Sequence, residues 1–104
     1  MIVARWNIEA RFGHKQTAID LIKKWNKEIG AKIGWKKDKV RVLTGSVGAP
    51  ESSIQVEILL KDLSELNASW EKLATIEAHK QWGKDLEPYI VSGTSRWEIF
   101  RVVV

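Results

Sequence analysis

His79 precedes Trp82 by three residues and Leu86 by seven, so on a helix all three share one face. An imidazole among apolar neighbours can pass a proton, bind a carbonyl or ligate a metal ion. Its plainer role is a half-buried ring that donates to a backbone carbonyl. The other histidine, His14, follows Gly13 at the start of a helical stretch and reads as a surface residue. No pair of histidines has metal-ligand spacing, and there are no cysteines. A thiolate nucleophile, Cys-based zinc or iron–sulfur sites and a disulfide framework are therefore excluded. No Ser-His-Asp set or phosphate-cradling glycine loop is present. His79 is the one candidate catalytic residue, with neither metal nor cofactor expected.

Six tryptophans in 104 residues form the second chemical feature. Trp6, Trp25, Trp70, Trp82 and Trp97 fall at positions that can face inward, whereas Trp35, in Gly34-Trp35-Lys36-Lys37, is expected to be exposed or packed on a loop. Clustered indoles with few polar groups make a flat-walled pocket suited to an apolar or aromatic small molecule, so Trp6, Trp70 and Trp82 are the candidate ligand-binding residues. The carboxylates Glu9, Glu57 and Glu98 could be paired for acid–base work. Their alternation with Arg5, Arg11, Arg41 and Arg96 reads more simply as charge pairing across strands.

These residues need elements to hold them. Ile2, Ala4, Trp6, Ile8, Ala10 and Phe12 alternate with Arg5, Asn7, Glu9 and Arg11, which predicts a strand with one dry face. Ile19, Ile22, Trp25, Ile29 and Ile33 then recur at helical intervals, and Gly30 or Gly34 should end that helix. Val40–Val47 and the alternating stretch from Ile54 to Leu60 predict a hairpin around Gly48, Pro50 and Ser52. Asp62 and Glu65 resemble a capping box before the stripe Leu63, Leu66, Trp70, Leu73. The stripe shifts phase near Ala74–Ile76, so Ile76–Leu86 is a third helix or a bent continuation, stopped by Glu87-Pro88. Arg96–Val104 is the last strand. The order is strand, helix, strand, strand, helix, strand in one domain spanning residues 1–104, which predicts an α+β, ferredoxin-like sheet of four antiparallel strands.

Both helices of such a fold cover one sheet face. The other would carry Arg5, Asn7, Glu9 and Glu57 together with large apolar side chains, either Phe100 and Val102 or Trp97 and Ile99. A face mixing compensating charges and apolar groups suits a second identical sheet across a two-fold axis, so a homodimer is expected with Arg5, Asn7, Glu9 and Glu57 in its interface.

The net charge of +4 is uneven: residues 1–52 hold 11 basic and 5 acidic side chains, residues 53–104 hold 6 and 8. Seven lysines lie between Lys23 and Lys39. At helical spacing beside Trp25 and Ile29, with no nucleic-acid-binding motif, they read as a solvated helix face rather than a nucleic-acid site. The early strand lacks a signal-peptide apolar block and no later run has membrane-spanning length, so a cytoplasmic protein without a membrane partner is expected.

Three stretches carry a family resemblance: the opening strand into Gly13-His14-Lys15-Gln16 and its helix, the hairpin from Pro50 to Leu60, and Glu77-Ala78-His79-Lys80-Gln81-Trp82 with Leu86-Glu87-Pro88, Gly93 and the strand from Trp97 to Val103. Together they resemble the dimeric α+β barrel superfamily, and within it the antibiotic-biosynthesis-monooxygenase-like and NIPSNAP-like domains. The resemblance implies a dimer. It also implies a range of activities, from cofactor-independent oxygenases and isomerases to haem-degrading monooxygenases, among which shape does not choose. A non-catalytic structural or interaction module is the other reading. The haem-degrading members use a strand-one Asn, a helix-two Trp and a His, here Asn7, Trp70 and His79. Strict alternation sets Asn7 on the face opposite Trp6, and only a β-bulge near residue 6 would bring it inward.

Overall fold

The computed structural model describes residues 1–104. Strand β1 (Ile2–Glu9) leads into helix α1 (Lys15–Glu28), then the hairpin of β2 (Val40–Thr44) and β3 (Ser53–Leu60), helices α2 (Leu63–Leu73) and α3 (Glu77–Leu86), and β4 (Arg96–Arg101). The sheet is antiparallel throughout, in the order β2-β3-β1-β4. This is the expected ferredoxin-like arrangement, with the helical half of the expected pattern split between α2 and α3.

β1 is interior, paired with β3 on one edge and β4 on the other: Ala4 and Ile8 are buried against the helices, and the partners of Ala4 on its two sides are Ile58 and Ile99. The register runs without a bulge from Ile2↔Leu60 to Glu9↔Ser53. α1 buries Ala18, Ile22 and Trp25, and its C-cap Ile29 continues the same stripe. Asp62 accepts the Glu65 backbone N–H at 3.0 Å to cap α2, while the Glu65 side chain reaches one residue further back than a capping box would, to the Lys61 N–H.

Four expectations change. The strand stops at Glu9, Ala10 makes only an isolated bridge to Ile90, and Phe12 is wholly exposed, because the chain turns at Gly13 with φ +82°. The long first helix is two pieces: α1, then a 3₁₀ turn (Gly30–Ile33) that Gly34 closes at φ +85°. β2 ends at Thr44 rather than Val47, since Gly45 packs so tightly on Pro50 that a Cβ would collide with its carbonyl. β4 likewise ends at Arg101, leaving Val102–Val104 beyond the strand. No helix is long and apolar enough to cross a membrane.

Candidate functional site

Between the helices and the β1–β3–β4 side of the sheet lies a cavity of about 250 Å³. All six tryptophans line it, with Ile22, Val56 and Leu73; the only polar side chains in its wall are Asn26 and His79. Each element delivers its share by its own period. Trp6 and Val56 are register partners on β1 and β3, and Trp6 also faces Trp97 on β4. Ile22, Trp25 and Asn26 are the i, i+3 and i+4 positions of α1; Trp70 and Leu73 come from α2, His79 and Trp82 from α3.

The indoles touch in an unbranched series. Trp6 meets Trp82 at 6.2 Å between ring centroids, Trp82 meets Trp25 at 6.0 Å, Trp25 meets Trp35 at 5.6 Å, Trp35 meets Trp97 at 6.3 Å and Trp97 meets Trp70 at 5.5 Å. The contacts are tilted or edge-to-face, as the ring quadrupoles prefer. Four indole N–H groups are taken up inside the protein: Trp6 donates to Ser95 Oγ, Trp25 to His79 Nδ1, Trp35 to Ser69 Oγ and Trp82 to the Leu21 carbonyl, at 2.7–3.0 Å. Trp70 and Trp97 are 39% and 38% exposed, so their edge-to-face pair forms the open side of the cavity.

His79 is stacked on Trp82, with 17° between the ring planes. Its Nδ1 accepts the Trp25 N–H at 2.9 Å, which requires the neutral ring to carry its proton on Nε2. Burial holds its pKa below the ordinary value of about 6.5. The ring is therefore neutral near pH 7, with Nε2–H as its free group, a donor rather than a base. The expectation that it would donate to a backbone carbonyl is corrected: it accepts from an indole. Asn26, on the adjacent α1 position, has a buried Oδ1 with no hydrogen-bond partner.

The opposite sheet face is built as rows across the strands. Glu57 is buried between Arg5, whose Nε lies 3.0 Å away, and Arg41, whose Nη2 lies 2.6 Å away. Burial pushes the Glu57 carboxyl up, but the hydrogen bonds from Arg41 and Arg5 outweigh it and hold the pKa below its ordinary value. Glu9 is not arginine-paired as expected; hydrogen bonds from the Ser52 and Ser53 hydroxyls lower its pKa. Asn7 lies on this face, donating to Glu98 at 2.9 Å, and its Oδ1 is buried and unpartnered. Beside the charged row stands an apolar one, Val3 between Leu59 and Phe100, with the Arg5 guanidinium 4.8 Å from the Phe100 ring centre.

The structure thus brings Trp6, Trp70, Trp82 and His79 to one cavity, and Arg5, Asn7, Glu9 and Glu57 to the other side of the sheet. Between the two options open for β4, register puts Trp97 and Ile99 with the helices and Glu98 and Phe100 on the open face. Asn7 is separated from Trp70 and His79 by the sheet itself, so the three residues matched to haem-degrading proteins do not meet. Two wall residues escaped the sequence reading. Trp35, expected to be exposed or packed on a loop, is 4% exposed and lines the cavity, because the tight turn at Gly34 folds it back over Gly30 and onto Ser69. Asn26 carried one available signal, its i+4 spacing from Ile22.

No protein-family model matches the chain, and no curated protein is significantly similar to it. Solved structures do share its fold. A NIPSNAP family protein from Agrobacterium tumefaciens superposes with a TM-score of 0.78 at 20% identity, covering 96% of this chain and 90% of that one. A candidate antibiotic biosynthesis monooxygenase from Nitrosomonas europaea gives 0.70 at 8% identity over the full length of both chains. A dimeric protein of unknown function and ferredoxin-like fold from Bacteroides fragilis gives 0.64 at 17%, covering 97% and 96%. The fold is the one that the sequence resemblance implied.

Proposed function

We propose that this protein binds a neutral aromatic small molecule in the tryptophan-walled cavity, as one half of a homodimer. One observation carries the ligand reading: six indoles, five from different strands and helices and Trp35 from the turn after Gly34, converge on a single space whose wall holds two polar side chains and no charged one. A buried ionised ligand would find no counter-charge there, whereas a flat ring meets π-faces and edges on every side. Cofactor-independent oxygenation or isomerisation on such a ligand would need a base. His79 is poorly set up for that, because Trp25 occupies Nδ1 and the remaining nitrogen already bears the proton. Binding is thus the primary role, with His79 orienting what binds.

The dimer reading rests on the open sheet face. Phe100 is 43% exposed beside Val3 and Leu59. A second copy laid sheet to sheet would cover the apolar row and set charged rows of the same pattern against each other. The solved dimer with the same fold supports this choice of occupant.

The test uses N-phenyl-1-naphthylamine, a neutral dye that emits in apolar surroundings. Titration should give a saturable rise with one site per chain, and Trp70→Arg, at the open side, should abolish it while leaving far-ultraviolet circular dichroism unchanged. A linear, unsaturable response refutes the cavity reading. Light scattering on a sizing column should give about twice the 11.9 kDa chain mass, and Phe100→Lys should halve it. A wild-type monomer at tens of micromolar refutes the dimer.

A further inference from the structure

The hydrogen-bonding capacity left in the cavity wall is one-sided. His79 accepts from Trp25 through Nδ1, so its proton sits on Nε2, and that N–H makes no hydrogen bond within the protein. The only side-chain polar atoms that are both buried and unpartnered are the oxygens of Asn7 and Asn26, so the free Nε2 of half-buried His79 keeps surface that another molecule can reach. His79 borders the cavity and not the outer groove between α1 and α3, which Trp25 and Trp82 also line. At the open side, the N–H groups of Trp70 and Trp97 lack the internal partners that the other four indoles have. The one spare acceptor among the wall side chains, Asn26 Oδ1, is closed even to a water-sized probe. The wall therefore offers an incoming molecule side-chain donors and no side-chain acceptor.

Resting on the reading of the cavity as an aromatic-ligand site, we infer that His79 Nε2–H is its specificity group and selects neutral aromatic compounds that carry a hydrogen-bond acceptor in or on the ring. A ligand donor would be buried against other donors and left unpaired. A cation meets the same donors, and an anion meets no opposite charge. At about 250 Å³ the cavity exceeds the roughly 150 Å³ void that holds a benzene ring, which suits two fused rings as probes.

Naphthalene, quinoline and indole discriminate. Quinoline is naphthalene with one ring CH replaced by a nitrogen acceptor, whereas indole carries an N–H donor. With no partner in the cavity, removing the quinoline nitrogen from water makes quinoline bind about tenfold more weakly than naphthalene. A hydrogen bond from Nε2–H offsets that loss. Displacement of N-phenyl-1-naphthylamine at pH 8, where His79 and quinoline are both neutral, should show the wild type binding quinoline at least as tightly as naphthalene and indole more weakly than either. His79→Phe should leave naphthalene nearly unchanged and weaken quinoline about tenfold. A merely structural role for His79 would weaken both compounds alike. A wild-type preference for naphthalene over quinoline, or a loss in His79→Phe shared equally by the two, overturns the inference and leaves the cavity reading standing. Displacement by none of the three compounds overturns both. Should His79→Phe fail to fold, the wild-type order of quinoline and naphthalene decides alone.

Discussion

Replacing His79 by phenylalanine isolates the Trp25–His79 contact, since a six-membered ring of similar size keeps the stacking on Trp82 and removes the Nδ1 acceptor. Trp25 is 7% exposed and donates over 2.9 Å, so the variant leaves a buried indole N–H without a partner. That costs about 1–3 kcal/mol; His79 is only half-buried and solvent can approach, which places the expectation near the lower end, at about 1 kcal/mol. For a domain of this length the loss corresponds to a fall in Tm of roughly 4–8 °C. The effect also carries a pH signature. The folded state holds His79 below its ordinary value of about 6.5, so the unfolded chain binds the proton more readily. Wild-type stability is complete above about pH 6.5 and is lost as the pH falls from there through the folded value. Protonation also turns Nδ1 into a second donor facing the indole N–H. His79→Phe has no such loss, so the gap between the two proteins is widest at pH 8 and narrows by pH 5. The lowered carboxylates Glu9 and Glu57 contribute stability above their ordinary value of about 4.5 and lose it only as the pH falls further, equally in both proteins. Urea unfolding at pH 8, 6.5 and 5 measures the gap. Trp25→Phe and the double variant complete a cycle whose coupling should be about 1 kcal/mol. A gap that does not change with pH, or a coupling near zero, refutes the contact.

On the other sheet face, Glu57→Gln leaves Arg5 and Arg41 without their carboxylate. Fully buried pairs cost about 3–5 kcal/mol to break; Arg41 is largely exposed, so about 2 kcal/mol is expected in urea unfolding at pH 7. Because that carboxyl is held below its ordinary value, the variant should also show a flatter loss of stability below pH 4.5, read from the same curves. Ser69→Ala removes the partner of the buried Trp35 N–H and should cost about 1–2 kcal/mol, whereas the same change in a Trp35→Phe background should cost much less.

The outline of the fold was legible because each strand and helix obeys one period over its whole length. Alternation in β1 separates Trp6 from Asn7 by the thickness of the sheet, and that single parity assigns both the cavity and the open face. The 3-and-4 spacing of His79, Trp82 and Leu86 likewise fixed the α3 wall. What periodicity misses is decided by turns and by contacts distant in sequence. Trp35 sits among lysines and glycines, and only the left-handed Gly34 directs it inward. Phe12 continues the β1 alternation in type but lies past the point where Gly13 turns the chain. Glu9 meets serines because the hairpin loop returns Ser52 and Ser53 to the end of β1. The partner of His79 lies 54 residues away, and no local pattern announces it.

The pairing of β1 with β4 has a consequence for how the molecule assembles. Ile2 faces Arg101, so this seam closes the largest loop in the described chain and carries the greatest entropic cost of closure. The β2–β3 hairpin and the helices can organise from near neighbours, so β4 should dock last. Trp97 rides on β4, so a nascent or partly folded chain presents the remaining indoles to water until that final strand arrives. Aggregation during refolding should accordingly track the lifetime of the species in which this seam is still open.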